Sequence, residues 1–233
     1  MVDMNNSIRI IRKSESKVSR WSGGTTTQLY IYPENAVYAD RNFRWRLSSA
    51  KVTADESTFT LLPGISRILM LIEGEVEIEH QGHHHTVLKA FEKDSFSGDW
   101  TTICKGKATD YNLMTDKSCS GSMEVISIDT GEIKEVQLND TKSPSERFSL
   151  VTDAFYIIGG DVEVFIADNE RQYAHDGDLV MVTRKEEEYV GQIAFENCSD
   201  KKINIIRTTV YYQALDCCSY DIIKLFPGNN KAL

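Results

Sequence analysis

The sequence predicts an all-β protein made of two similar β-barrels in tandem. Short segments rich in β-forming residues recur at regular spacing, and helical periodicity is weak throughout. A stretch of the first half returns in the second: Ile68-Leu69-Met70-Leu71-Ile72-Glu73-Gly74-Glu75-Val76-Glu77-Ile78 resembles Ala154-Phe155-Tyr156-Ile157-Ile158-Gly159-Gly160-Asp161-Val162-Glu163-Val164, with position 74 answering to 160. The length, 233 residues, suits one large domain or two small ones. A repeat this long is a whole small barrel, because solenoid units recur every ~20–50 residues.

In chain order, Gln28–Tyr32 reads as a strand. Phe43–Val52 alternates, with Phe43, Trp45 and Leu47 on one face and Arg44, Arg46 and Ser48 on the other. Arg67–Ile72 is a continuous apolar strand, Glu73-Gly74 a turn, and Glu75–Glu79 a further strand that Gln81-Gly82 turns into a hairpin. Each copy of the repeat is followed by an acidic step, Lys93-Asp94-Ser95-Phe96 and then Gly177-Asp178-Leu179-Val180. Asp129-Thr130-Gly131 and Ser143-Pro144 punctuate the stretch between Met123 and Ser145. This places the two barrels at 1–125 and 126–233.

Composition narrows the function. With 26 Lys and Arg against 35 Asp and Glu, the net charge is −9 and no basic run occurs, which argues against nucleic acid or an anionic membrane as partner. The longest aliphatic run, Ile68–Ile72, is far short of the ~20 residues that span a bilayer. Met1–Lys13 has no apolar signal-peptide segment, so a cytoplasmic location is expected. Five cysteines, Cys104, Cys119, Cys198, Cys217 and Cys218, form neither a disulfide framework nor a zinc spacing and read as reduced thiols.

The pattern of apolar strand, glycine turn, strand and Gly-Asp step looks like a cupin barrel, present twice. Five motifs sharpen this: Trp21-Ser22-Gly23-Gly24-Thr25-Thr26-Thr27-Gln28, Phe43–Ala50, Phe59–Arg67, Gly98-Asp99, and Asp110-Tyr111-Asn112-Leu113-Met114. This ordered series resembles the HutD/Ves family. The resemblance implies a metal-free bicupin that binds a small organic acid, with a cytoplasmic role in histidine utilisation or stress response. Urocanate and formiminoglutamate are the acids it suggests, in a sensor or flux regulator. One departure stands out. The family's first motif usually reads Trp-(Lys/Arg)-Asn-Gly-Gly-Gly with an acidic residue soon after; here it is shorter by one, lacks the Asn, and has Gln28 at the acidic position.

Where a metal-binding cupin carries its Glu, its His pair and its later His, family spacing finds Arg67, Thr60–Pro63 and Cys104. In the second barrel the equivalents are Asp153, Arg147 or Ser149, and Glu188. A fixed guanidinium repels a cation, so no metal or other cofactor is expected in either barrel. His83-His84-His85 reads as a solvated hairpin tip, since adjacent strand residues alternate in direction, and His175 as a turn residue. No Gly-x-Ser-x-Gly elbow or Cys–His pairing points to nucleophilic catalysis.

Seven residues form the candidate ligand site. Arg67, opening an apolar strand, is either an ion pair at the barrel rim or a carboxylate clamp. Arg46 and Ser48 share a face that lines the cavity if Trp45 and its neighbours pack on other elements, and is otherwise solvated. Asp110 and Asn112 lie two apart on one face, with Tyr111 opposite. With Asp99 they could orient an amide, imidazole or formimino group, or form a buried structural network. Thr26 sits in the glycine-rich loop expected to close over the barrel mouth. All seven belong to the first barrel, which is expected to hold the one site of the chain. A metal-independent isomerase or hydrolase acting on a similar acid, with Asp110 or Asp99 as its titratable group, is the alternative. A protein whose barrels merely present surfaces is a third reading, and cupins often pair as homodimers.

Overall fold

The computed structural model describes residues 7–138, 148–165, 171–185 and 191–214. Among these there is no α-helix, only 3-10 turns at Lys13–Glu15 and Tyr38–Asp40. No helix is long and apolar enough to cross a membrane. Ser143-Pro144, Arg147, Glu188, Cys217 and Cys218 lie outside the described residues.

The first half contains β2 (Lys17–Trp21), β3 (Gly24–Tyr32), β4 (Trp45–Val52), β5 (Glu56–Thr58), β6 (Ile65–His80), β7 (His85–Lys89), β8 (Lys93–Ser97), β9 (Thr102–Lys105) and β10 (Ala108–Asp116). They form one sheet in the order β2-β3-β4-β10-β6-β9-β5, with β7 and β8 also paired to β6. The second half contains β11 (Cys119–Ile128), β12 (Ile133–Gln137), β13 (Leu150–Ile158), β14 (Val162–Phe165), β15 (Arg171–Ala174), β16 (Leu179–Lys185), β17 (Gln192–Asn197) and β18 (Ile203–Tyr212). These make a sheet β16-β13-β18-β11 and a smaller one β12-β17-β14-β15. The first strand of the chain, β1 (Ser7–Ile11), joins the second half by pairing with β16.

The expected turn at Glu73-Gly74 is instead a bend inside one long strand. The first part of β6 pairs with β10 and β8, the last part with β7 and β9. Gly74 has φ 94°, and a Cβ there would lie 2.5 Å from the Lys107 carbonyl oxygen, so glycine alone lets the strand cross β10 so closely. The second half breaks at this point, between β13 and β14, and the positive φ falls on Gly159, not Gly160.

The register of the two halves carries the sequence repeat. In the first, Val76 faces Leu88 and Arg67 faces Phe96; adding 86 to each number gives Val162 facing Ala174 and Asp153 facing Val182, both of which occur. The boundary drawn at 125/126 falls inside β11, which pairs throughout with β18. The chain changes sheets earlier, at the turn between Asp116 and Cys119, where the side chain of Asp116 accepts hydrogen bonds from Ser118.

Alternation gives β4, β10, β13 and β18 two buried faces. One face of β4, β6, β10, β13 and β18 builds a core shared by the halves, in which Trp45 has no exposed surface. Its ring lies 4.9 Å from Tyr30, 6.0 Å from Tyr32 and 5.7 Å from Tyr212, centroid to centroid. The opposite faces point into each half separately: Leu69, Leu71, Val76, Ile78 and Phe96 in the first, Phe155, Ile157, Val164, Val180 and Phe195 in the second.

The interior of the second half also holds charge, and it is matched. Asp153 is fully buried; it accepts from Arg184 at 3.1 Å, from Arg207 at 3.0 Å and from Thr209 at 2.7 Å. Arg207 continues to Glu124 at 3.2 Å and to the Gln137 carbonyl at 3.0 Å. Removing one member of such a set leaves buried charge without its partner. Asp153→Ala is therefore expected to cost about 3–5 kcal/mol of stability, read as a lower urea midpoint; a loss below about 1 kcal/mol would show the network to be dispensable.

Candidate functional site

The inner face of β3, β4, β10 and β6 encloses a cavity of about 290 Å³ whose mouth is framed by Ser19–Trp21 and Ser57–Thr60. Cross-strand pairing arranges its wall in rows. Thr26, Ala50, Asp110 and Leu71 form one row, and Gln28, Ser48, Asn112 and Leu69 the next. In the third, Met114 stands between Arg46 and Arg67. The period-two spacing that puts Asp110 and Asn112 on this wall sends Tyr111 the other way, to stack on Tyr156 across the shared core. At the loop end, a Cβ on Gly24 would lie 2.0 Å from the Lys51 carbonyl oxygen, so only glycine lets β3 approach β4 this closely.

Arg67 is 7% exposed. Its guanidinium lies over the rings of Phe59 and Phe96, at 4.8 and 4.9 Å from their centroids, contacts that favour a cation. Among the described residues it makes no hydrogen bond and no ion pair, so the rim ion pair does not form. Arg46, 5% exposed, donates from Nε to Gln28 Oε1 at 3.0 Å and from Nη1 to Ser48 Oγ at 2.9 Å, and lies 4.4 Å from the centroid of Tyr38. Its partners are neutral, so nothing it touches cancels its charge. The solvated alternative for this face is excluded because Trp45, behind it, packs on Tyr212.

Burial dominates the electrostatics. It lowers the pKa of Arg46, and lowers that of Arg67 to about 10, against the pull of Asp110. It raises Asp110 to about 6, while Arg67, the backbone N–H of Ala50 and Arg46 oppose it. One oxygen of Asp110 accepts from that N–H at 3.2 Å. The cavity thus carries two cations against one acid that burial makes harder to ionise.

Four buried side-chain polar atoms have no hydrogen-bond partner among the described residues: Arg67 Nε, Asn112 Oδ1, Ser57 Oγ and Trp45 Nε1. Three of these four residues line this cavity. Orphaned buried polar groups each cost free energy. Their convergence presents donors and an acceptor to whatever enters.

Of the seven residues marked in the sequence, Thr26, Arg46, Ser48, Arg67, Asp110 and Asn112 line the cavity. Asp99 does not. It stands on the surface past the end of β8, where its carboxylate accepts from the Gly64 N–H at 3.2 Å and the Ser97 hydroxyl at 2.8 Å. Its work is to fasten the turn before β6. The side chain of Thr26 accepts from Trp21 Nε1 at 3.2 Å at the mouth. Phe59, Tyr38 and Ser57 escaped sequence reasoning as site residues, although Phe59 opens one of the quoted motifs. Cys104 is buried in the core of the first half, its thiol pushed up to about 11 by burial. No imidazole or thiol belongs to the cavity wall among the described residues.

The chain is similar to known proteins. The HutD family model matches residues 13–195. Protein Ves of Citrobacter koseri is 32% identical over 121 residues, 49% of this chain and 61% of that protein, so the alignment spans about three fifths of the relative's length. Among solved structures, a conserved protein of unknown function from Pseudomonas aeruginosa matches with TM-score 0.68 at 17% identity, covering 88% of this chain and 98% of the other. HutD from Pseudomonas fluorescens, solved in a formate condition, matches with TM-score 0.58 at 17% identity over 87% and 98%. A formate complex of oxalate decarboxylase from Lactobacillus farciminis matches with TM-score 0.61 at 8% identity over 88% and 86%. At these identities the structures speak for the fold alone; with the family match over most of the sequence, the chain belongs to the HutD/Ves family of cupin-like proteins.

Proposed function

We propose that this chain binds a small organic acid in the cavity of its first half and acts as a sensor or flux regulator. The observation that carries the proposal is the convergence of Arg67 Nε, Asn112 Oδ1 and Ser57 Oγ, buried and unpartnered, on one cavity beside an uncancelled Arg46. A guanidinium offers a carboxylate two parallel donors. Asn112 and Asp110, one row away, suit a planar nitrogen group on the same ligand. Urocanate and formiminoglutamate, acids of histidine breakdown, combine both features, and the HutD relationship favours them.

The duplicated register favours two cupin barrels, 17–116 and 119–212, with β1 completing the second. The matched ion network about Asp153 favours a supporting role for the second and one site per chain. A reducing cytoplasmic setting and a homodimer belong to the same proposal. A second reading has one observation behind it: Asp110 is a buried carboxyl on the cavity wall, and burial raises its pKa to about 6, a range suited to general-base work. Asp110 would then serve a metal-independent isomerase or hydrolase. Following a bound acid by NMR separates the two, since an enzyme converts it and a sensor returns it unchanged.

The direct test is a thermal-shift and calorimetric screen against small mono- and dicarboxylates, urocanate and formiminoglutamate included. An acid at 100 times its dissociation constant adds about 2.7 kcal/mol, and failure of every acid to raise the melting temperature overturns the proposal. Arg67→Met should weaken binding by about 1.5–3 kcal/mol, the range for a hydrogen bond to a charged group. Arg67→Lys should fall between Met and wild type, keeping charge but not the fork. Because the Arg67 side chain has no hydrogen bond to lose among the described residues, only its contacts with the Phe59 and Phe96 rings, the Met variant should stay folded without ligand and melt close to wild type. Unfolding of Arg67→Met with unchanged affinity in the folded fraction would make Arg67 structural.

Two further outcomes follow from the charge balance. Asp110 has its pKa raised by folding, so the folded state holds the extra proton between about pH 4 and 6. Its contribution favours folding below its ordinary value of 3.8 and is lost as pH rises through about 6. Protonation also leaves the two arginines unopposed. Carboxylate affinity should therefore increase from pH 7.5 to 5.5, and Asp110→Asn should flatten that dependence; an affinity that drops as the pH is lowered would point to a ligand whose cation sits on Asp110. Gln28→Glu would pair Arg46, 3.0 Å away in the present contact. It should weaken acid binding by about 1–3 kcal/mol at neutral pH, measured by titration calorimetry.

A further inference from the structure

A second cluster of ligating groups lies outside the cavity, at the far end of β6. His80 is the last residue of that strand and is buried. Its Nε2 lies 2.8 Å from Asp94 Oδ2. The hairpin that follows brings His84 back over the same carboxylate, with Nε2 3.2 Å from Asp94 Oδ1 and 3.1 Å from Oδ2. The two imidazole rings are 4.5 Å apart, centroid to centroid. The ligating atoms of His80, His84 and Asp94 all lie within 4.8 Å of one another.

We infer that His80, His84 and Asp94 form a binding site for a divalent transition metal, zinc by its ligand chemistry. Two imidazoles and one carboxylate are a zinc-type donor set, and a fourth position remains for water. Tetrahedral bonds of about 2.0–2.1 Å place neighbouring ligand atoms roughly 3.3 Å apart, a few tenths of an ångström beyond the contacts present. His84 is 40% exposed and gives the ion a way in, while Asp94 is 15% exposed and His80 closes the floor. Supporting contacts are in place. His80 Nδ1 lies 2.8 Å from the buried Thr102 hydroxyl, which can accept Nδ1–H and leave the Nε2 lone pair for metal. Phe96 and Trp100 pack against the His80 ring, at 4.5 and 5.6 Å between centroids, and hold it in place.

The other two histidines of the run are engaged elsewhere. His83 stacks on Trp100 with centroids 3.8 Å apart, and His85 Nε2 contacts Glu77 at 2.8 Å. This separates a built site from casual binding at a histidine-rich tip. The site does not rest on the acid-binding reading, since none of its residues lines that cavity.

The test uses the full chain without an affinity tag, titrated with Zn²⁺ against a chromogenic chelator, and with Co²⁺ for its visible spectrum. One zinc per chain and the absorption of four-coordinate cobalt are expected. His84→Ala and Asp94→Asn should each weaken zinc by more than about tenfold, since disturbing even a ligand's supporting hydrogen bond has that effect. The double variant His83→Ala/His85→Ala should stay within about twofold of wild type and serves as the control. If Asp94→Asn does not fold, His84→Ala alone decides. Absence of 1:1 binding at micromolar zinc overturns the inference. So does binding lost in the double variant but kept in His84→Ala.

Discussion

The structure turns on the face-to-face packing of two sheets around Trp45 and Tyr212. Once these sheets are in contact, β4, β10, β13 and β18 have no solvated side. Residues of one parity fill the shared core, and residues of the other parity are committed to the interior of their own half. Arg46, Ser48, Asp110 and Asn112 are forced inward because Trp45, Leu47 and Tyr111 are taken by the opposite side. The polar cavity is therefore a by-product of the apolar interface, and a one-residue slip in register would turn it inside out.

The same frame holds charge in two different ways. The position of Arg67 in the first half is that of Asp153 in the second, opposite Met114 and Thr209 in the respective ladders. Asn112 answers to Arg207, and Ser48 to Glu124, by the same pairing. In the second half these residues neutralise one another, giving an interior that is complete by itself. In the first, two arginines meet neutral partners and aromatic rings. An interior with unspent hydrogen-bonding capacity is less stable than a matched one, and that deficit is what a ligand can make good.

Much of this was legible in the sequence where the signal was local. Asp110 and Asn112 followed from a period of two, and the pairing of the repeats followed from the offset between Gly74 and Gly160. Arg46 was ambiguous because the deciding contact, Trp45 on Tyr212, joins residues far apart in the chain. Asp99 was misplaced for a similar reason. It lies beyond the last paired residue of β8, where alternation no longer fixes direction, and the nearby Gly64 N–H captures its carboxylate. The bend at Gly74 read as a turn because a glycine after an acidic residue has that meaning locally; only the approach of β10 keeps the strand whole. His80 escaped notice because its partners arrive through the hairpin and from β8, and no spacing rule covers that arrangement.

One strand orders events during synthesis. β1 leaves the ribosome well before the edge it completes, β16, which follows some 170 residues later. At elongation rates of about 5–20 residues per second, Ser7–Ile11 must wait roughly 10–30 s for Leu179–Lys185. Its apolar residues, Ile8, Ile10 and Ile11, stay unsheltered for that interval. The later-made half thus recruits an earlier-made strand, and a nascent chain stalled before residue 179 would carry β1 as an exposed, pairing-competent segment.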